Sequence, residues 1–266
     1  MKQLYFLGLL FLVASGLPTD GRATGEGDLA RAVQNPVSDL ISLPLQNNIN
    51  FDVGPEEKTQ NILNIQPVWP VALNDDWKLI TRTILPVISQ PEFVPGDGRT
   101  NGIGDTTFTA FLSPRQPGGR LIWGAGPVLL LPTASDDVLG QDKWGLGPSA
   151  VFLTMKGPWV IGSLFSNVWS VGGSGDQDVN LFTWQYFINY NLPNGAYITS
   201  APIITANWES DSGDKWTVPF GGGVGKIFRV GSQAMNAQAS AYYNVEKPKY
   251  GADWQLRLQL QFLFPK

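Results

Sequence analysis

The chain has 266 residues, 43% of them hydrophobic and 15% charged, with a net charge of −4. That balance excludes a disordered chain, and it offers no basic face for nucleic acid. Cysteine and histidine are both absent, which excludes disulfides, a zinc ribbon, a thiol nucleophile, a lipid-bearing cysteine and any Ser-His-Asp hydrolase. No cofactor or metal site is implied.

The amino terminus reads as an export signal. Met1-Lys2 carries positive charge, Leu4 to Leu17 is a nearly unbroken apolar run, and small residues surround Gly21-Arg22-Ala23. Charged start, apolar core and small-residue cleavage site are the three parts of a secretory signal, with cleavage expected after Ala23. The core is shorter than the roughly 20 apolar residues of a spanning helix. Residues 1–23 are therefore read as a signal peptide and 24–44 as an N-terminal segment. Within the segment, Leu29, Val33, Val37 and Leu40 fall at helical spacing over Asp28 to Ile41, interrupted near Pro36. A short amphipathic piece tethered to a first strand has two places to go: the periplasmic interface, or the barrel mouth as a plug.

From Leu45 the period changes from 3.6 to 2. Strands are expected over Leu45–Val53, Asn61–Val71, Trp77–Ile88, Asp105–Leu112, Leu121–Leu131, Trp144–Met155, Trp159–Trp169, Val179–Leu192, Tyr197–Trp208, Trp216–Arg229, Gln233–Val245 and Trp254–Phe264. The last is the clearest: Trp254, Leu256, Leu258, Leu260, Phe262 and Phe264 alternate with Gln255, Arg257, Gln259 and Gln261. Trp77–Ile88 and Trp216–Arg229 alternate poorly, so their facing is open. Runs of about ten residues are lipid-spanning lengths, where soluble strands average five or six.

The connections alternate too. Tight turns (Leu73–Asp76, Lys156–Pro158, Pro193–Gly195, Val230–Ser232) separate longer polar loops (Gly54–Gln60, Ser89–Gly104, Pro132–Lys143, Gly172–Asp178, Glu209–Lys215, Glu246–Asp253). Only Ser113–Arg120 is long for the short side. Trp69, Trp77, Trp144, Trp159, Trp169, Trp208, Trp216 and Trp254 all stand near strand ends, where an indole suits a membrane–water interface. The fold class expected is all-β: an antiparallel transmembrane barrel of about 12 strands over residues 45–266, in the bacterial outer membrane with both termini periplasmic. Its partners would be outer-membrane lipid and lipopolysaccharide, the barrel-assembly machinery and a small-molecule solute. Pro265-Lys266 follows Phe264 and shifts the usual terminal aromatic insertion signal by two residues.

Three motif-like stretches carry no chemistry. Gly221–Lys226 has Phe220 where a phosphate loop needs its first glycine, and Ile227 where Ser or Thr must hold magnesium. Close packing inside a strand explains its glycines better. Gly102-Ile103-Gly104-Asp105 precedes no helix, and Asp176-Gln177-Asp178 lacks a full calcium ligand set. The long loops hold Glu56, Glu57, Glu92, Asp97, Asp136, Asp137, Asp142, Asp176, Asp178, Glu209, Asp211 and Asp214. Such a rim could steer cations, but solubility and divalent-ion bridging explain it more simply.

Candidate lumen and solute-contact residues are Asp52, Gln66, Arg82, Gln185, Asn189, Asn236, Gln238, Arg257 and Gln259. Polar inner faces are general in barrels, so most of these are expected to be network members. Arg82 and Arg257 stand out, because a charge in a narrow lumen needs a partner or a task. The plainer expectation is a structural ion pair, with Asp52 as carboxylate.

The stretches Asn35–Pro44, Asn64-Ile65-Gln66-Pro67, Trp77–Pro86, Gly102-Ile103-Gly104-Asp105 and Trp254–Lys266 together resemble a bacterial family of outer-membrane proteins grouped under a meta-pathway of phenol degradation, often mislabelled neuromedin U. The resemblance covers nearly all of the chain after the signal. It implies a transporter-like barrel linked to uptake of aromatic compounds, and it brings no catalytic residue. The function expected is passive passage or binding of small, aromatic or apolar solutes. The alternative is a non-transporting surface protein that binds ions, lipopolysaccharide or a partner through its long acidic loops.

Overall fold

A computed structural model describes residues 25–94, 96–116 and 120–265. The expected signal peptide lies outside the described residues. After one helix, α1 (Glu26–Val33), come fifteen strand segments in a single antiparallel sheet. Three pairs of segments are one strand each, broken by a short irregularity: β2 (Lys58–Ile65) with β3 (Val68–Ala72), β5 (Thr100–Ile103) with β6 (Thr106–Pro114), and β11 (Ala196–Ser200) with β12 (Ile203–Asn207). The breaks fall at Gln66-Pro67, Gly104-Asp105 and Ala201-Pro202, where proline withholds a ladder donor or glycine loosens the strand. Fifteen segments less three continuations leave twelve spanning strands.

The other nine are β1 (Ile41–Val53), β4 (Trp77–Gln90), β7 (Leu121–Leu131), β8 (Lys143–Lys156), β9 (Trp159–Gly173), β10 (Asn180–Asn191), β13 (Trp216–Val230), β14 (Gln233–Glu246) and β15 (Trp254–Phe264). β15 pairs back on β1 from Ile41↔Phe264 to Phe51↔Trp254, so the sheet closes and has no edge. Strand β1 and the barrel start at Ile41, earlier than the expected Leu45. Helix α1 ends at Val33, and a turn through Asn35 carries the chain to β1, so the helical stretch is shorter than its periodicity suggests. Val37 and Leu40 keep their burial without being helical.

Period 2 holds along the wall. On β1, Ser42, Gln46, Asn48 and Asn50 face in and are buried, while Leu43, Leu45, Ile49 and Phe51 face out. Outward aromatics form two girdles. At the loop end Phe51 stacks on Trp254 at 3.9 Å, and Trp208 meets Trp216 edge-on at 5.5 Å. At the turn end Trp77 meets Trp123 at 6.0 Å, and Trp159 meets Tyr190 at 4.8 Å. Two aromatic rings flanking an apolar belt are the signature of a barrel in a bilayer. Both poorly alternating strands resolve: Lys78, Ile80 and Arg82 of β4 face in, as do Gly221, Gly223, Gly225 and Ile227 of β13.

The glycine run of β13 makes room for one aromatic side chain. A Cβ on Gly225 would stand 2.2 Å from the Tyr197 ring. That ring lies over the strand, and its hydroxyl reaches Asn236 Oδ1 at 2.9 Å and Gln238 Oε1 at 3.2 Å. Gly225→Val should lift Tyr197 off both amides and overpack the wall, costing about 1–3 kcal/mol. A lower temperature for the loss of the compact gel form would show it, with Gly172→Ala, where an added Cβ meets nothing within 4 Å, as the control for loss of a strand glycine.

Candidate functional site

The site is the barrel lumen. One wall is polar, because glutamine and asparagine recur at inward positions of adjacent strands. A side-chain amide both donates and accepts, so such residues link in chains. Gln255 donates to Asn50 (2.8 Å), Asn50 to Gln60 (2.7 Å) and Gln60 to Gln90 (2.5 Å), crossing β15, β1, β2 and β4. Nearby, Gln46 donates to Asn48, and both Gln259 and Asn236 donate to Gln261. The opposite wall is apolar: Phe111 of β6, Val151 and Leu153 of β8, Val160 of β9 and Phe187 of β10 form one buried cluster with Ile80 of β4.

The N-terminal segment enters this apolar half from the turn end. Val37 is fully buried inside the cluster. Leu29, Ala30 and Leu40 pack on Ile227, Ala234 and Leu263, the inward residues of β13, β14 and β15. Polar contacts fix the segment around its rim. Lys78 Nζ lies 3.1 Å from Asp39, Gln34 and Asn191 exchange amide hydrogen bonds at 2.9 and 3.0 Å, and Arg31 donates to the Gly157 carbonyl at 2.6 Å.

Above the segment lies a chamber of about 180 Å³, lined on one side by Val33 to Pro36 and on the other by the amide wall. Gln66, Arg82, Gln185, Asn189, Asn236, Gln238 and Gln259 all line it. Arg257 sits beside it, 4% exposed, and donates to the Ala201 carbonyl at 2.9 Å. Asp52 stands apart. It occupies a left-handed conformation (φ 62°) where the β1–β2 register shifts near the loop end, and among the described residues it forms no ion pair with either arginine. The expected Arg–Asp pair is therefore absent: Arg82 donates to the Gln66 amide instead.

The expected set omits Lys78, Tyr197, Tyr242 and Phe187. Lys78 shares the parity of Arg82 on β4, a signal available once one inward residue is fixed. Tyr197 and Tyr242 look like interfacial aromatics in sequence, and only the glycines opposite reveal that they turn inward.

At the loop end a wider vestibule of about 900 Å³ is bordered by Asp105, Asp178, Glu209, Asp211 and Asp214. Part of this acidity is engaged. Asp105 accepts from the Ala134 and Gln141 amides at 3.2 and 2.7 Å and pins loop 132–142, and Asp178 pairs with Lys143 at 3.4 Å. Among the described residues no group of three or more His, Cys, Asp or Glu could hold a metal.

Residues 57–264 match the family described as "Putative MetA-pathway of phenol degradation". No curated protein sequence matches the chain. An outer membrane channel from Pseudomonas putida F1 has a similar fold, with a TM-score of 0.65 and 20% identity over 86% of this chain and 97% of that one. Looser likenesses are the outer membrane phospholipase A of Escherichia coli (TM-score 0.46, 12% identity, 91% and 99% coverage) and the CymD monoaromatic hydrocarbon channel (TM-score 0.48, 9% identity, 91% of each chain).

Glu92 anchors the backbone at Gly96 and Gly98. Its carboxylate is pulled down to about 2, first by the Lys58 ammonium and then by the Gly98 and Gly96 amides, which donate at 2.9 and 3.2 Å. A lowered carboxylate holds the loop at any pH above its ordinary range and lets go as pH falls through the lowered value. Amide-exchange protection at Gly96 and Gly98 should persist to about pH 3 and vanish near pH 2. In Lys58→Met the loss should move up toward about pH 4.

Proposed function

The chain belongs to this phenol-degradation family, and from that premise we propose that it is a passive outer-membrane channel for small solutes with an aromatic or apolar body. The observation that carries this reading is the mixed lining of the chamber: amides of β14, β15, β1 and β10 stand around it together with the apolar side chains of Val68 and Phe187. A solute with an apolar body and a polar head can keep both satisfied in such a path, whereas a sugar would leave hydroxyls unpaired against Val68 and Phe187. Transport requires no catalytic residue and no cofactor.

The turn end with both termini faces the periplasm, as short turns do in bacterial barrels. Residues 1–23 direct export and are removed after Ala23. Outer-membrane lipid and lipopolysaccharide surround the belt, and the assembly machinery inserts it. The segment from Glu26 to Leu40 acts as a plug that closes the periplasmic half of the lumen. Its buried side chains Leu29, Val37 and Leu40 each contribute about 1.5–3 kcal/mol on burial. The plug is therefore held by packing and only trimmed by its rim contacts.

Deletion of residues 26–38 should raise single-channel conductance in planar bilayers severalfold, with the barrel still heat-modifiable on a gel. Asp39→Asn, which releases Lys78, should raise the frequency of brief openings without changing the open conductance. An unchanged conductance in the deletion would refute the plug. Absence of both conductance and liposome swelling in the deletion would refute the channel and leave the surface-binding alternative, in which the acidic loops do the work.

A further inference from the structure

Among the described residues the waist of the barrel holds two guanidiniums, and no carboxylate lines its chamber. Among the described residues the ion pairs are Lys58 with Glu56 and Glu92, Lys78 with Asp39, Lys143 with Asp178 and Lys247 with Asp253. None reaches the chamber. Arg82 lines the chamber, and Arg257 reaches the carbonyl of Ala201, which lines it too, so both charges border one cavity. Two like charges inside a protein wall are costly to hold without an anion.

The two arginines are not equivalent. Arg257 is braced on all sides. Its Nε donates to Asn48 (3.2 Å), Nη1 to the Ala201 carbonyl (2.9 Å) and Nη2 to Gln255 (3.1 Å), and its guanidinium lies 4.7 Å over the Tyr242 ring. Its work is structural: it ties β15 to the break between β11 and β12. Arg82 has one partner among the described residues, the Gln66 amide at 2.5 Å, and it lines the chamber. The rest of its planar fork of N–H donors is free, and that fork matches a carboxylate in two parallel bonds.

Around Arg82 the chamber offers both a polar floor and an apolar side. Gln66 and Gln185 stand on one, Phe187 and Val68 on the other. Its volume of about 180 Å³ limits the guest, since a cavity of about 150 Å³ lined by apolar side chains holds one benzene ring.

We propose that the chamber is a binding site for small monocarboxylic acids with a ring-sized apolar body, the carboxylate docking on Arg82 beside Gln66 and the body lying against Phe187. The proposal rests on the lumen being the solute path and names the class of solute held at its waist. Arg257 supplies a second positive charge from behind the wall. The acidic vestibule opposes an incoming anion, so the arginines act as the counterweight that draws the carboxylate past the mouth.

Isothermal titration of the full barrel in detergent at neutral pH tests this with three probes: benzoate, phenol and acetate. Benzoate should bind at least about tenfold more tightly than phenol, which lacks the charge, and than acetate, which lacks the ring. Arg82→Gln should bring benzoate down to the level of phenol. Arg82→Lys, which keeps the charge and loses the fork, should fall between. Heat-modifiability on a gel confirms that each variant is folded. Benzoate binding no tighter than phenol or acetate, or binding unchanged in Arg82→Gln, overturns the proposal. The readout is independent of conductance, so a barrel that conducts after plug deletion yet ignores benzoate sinks this inference and leaves the channel standing.

Discussion

Everything in the lower half of this barrel depends on one packing event, the burial of Val37 and Leu29 inside the wall. A strand that spans a bilayer needs apolar residues outward, and its inward residues ordinarily meet water. Here Ile80, Phe111, Val151, Leu153, Val160 and Phe187 are inward and apolar as well. A wall apolar on both faces would enclose a dry void or poorly held water unless something fills it. The N-terminal segment is that filler. It arrives attached to β1 by only a few residues, so the entropic cost of bringing it to its site is small. Closure of the barrel brings β1 against β15, and Leu40 and Leu263 then meet in the same cluster as Leu29. Barrel closure and filling are thus coupled.

The upper half answers the opposite demand. Inward Gln and Asn residues on β15, β1, β2 and β4 satisfy one another around the wall, and each amide in the chain from Gln255 to Gln90 uses its neighbour as acceptor. Amides do this without net charge, which keeps the interior free of the desolvation cost that ion pairs would carry. The arginines are the exceptions. Arg257 is accommodated by a local change of backbone: at Ala201-Pro202 the strand breaks and presents a carbonyl that accepts from both Arg257 and Gln185.

The barrel itself was legible in the sequence because lipid imposes a strict period. β15 read correctly residue by residue and β1 did so from Leu45 to Phe51, and the tight turns and tryptophans marked the ends. β4 and β13 did not read, for different reasons. In β4 the inward face mixes Lys78, Ile80 and Arg82, since its lower end lines the filled half and its upper end the polar half, so no single alternation of hydrophobicity exists. In β13 the inward face is glycine, whose facing is set by what it admits, the Tyr197 ring, and not by its own polarity. Parity puts Gln66, Gln185, Asn189, Asn236, Gln238 and Gln259 on the inward face, where they line the chamber. It misplaced Asp52, because a left-handed residue at a bulge shifts the count by one.

The charges along the axis form a sequence with physical consequences. Acids border the vestibule, two guanidiniums hold the waist, and the Lys78–Asp39 pair sits where the segment enters at the turn end. The vestibule is wide and wet, so its carboxylates act at long range and are screened by salt over a Debye length of about 10 Å at 0.1 M. The waist is narrow and walled by protein, so its field is focused and screened much less. On the channel and binding readings proposed above, a cation is drawn to the mouth and stopped at the waist, while an anion is slowed at the mouth and held at the waist. A neutral solute with an apolar face is indifferent to both and is sorted by the wall alone. On that reading salt concentration shifts the balance among these three classes of solute without any movement of the protein, and the Val68 and Phe187 side of the chamber sets the preference that remains when the mouth is fully screened.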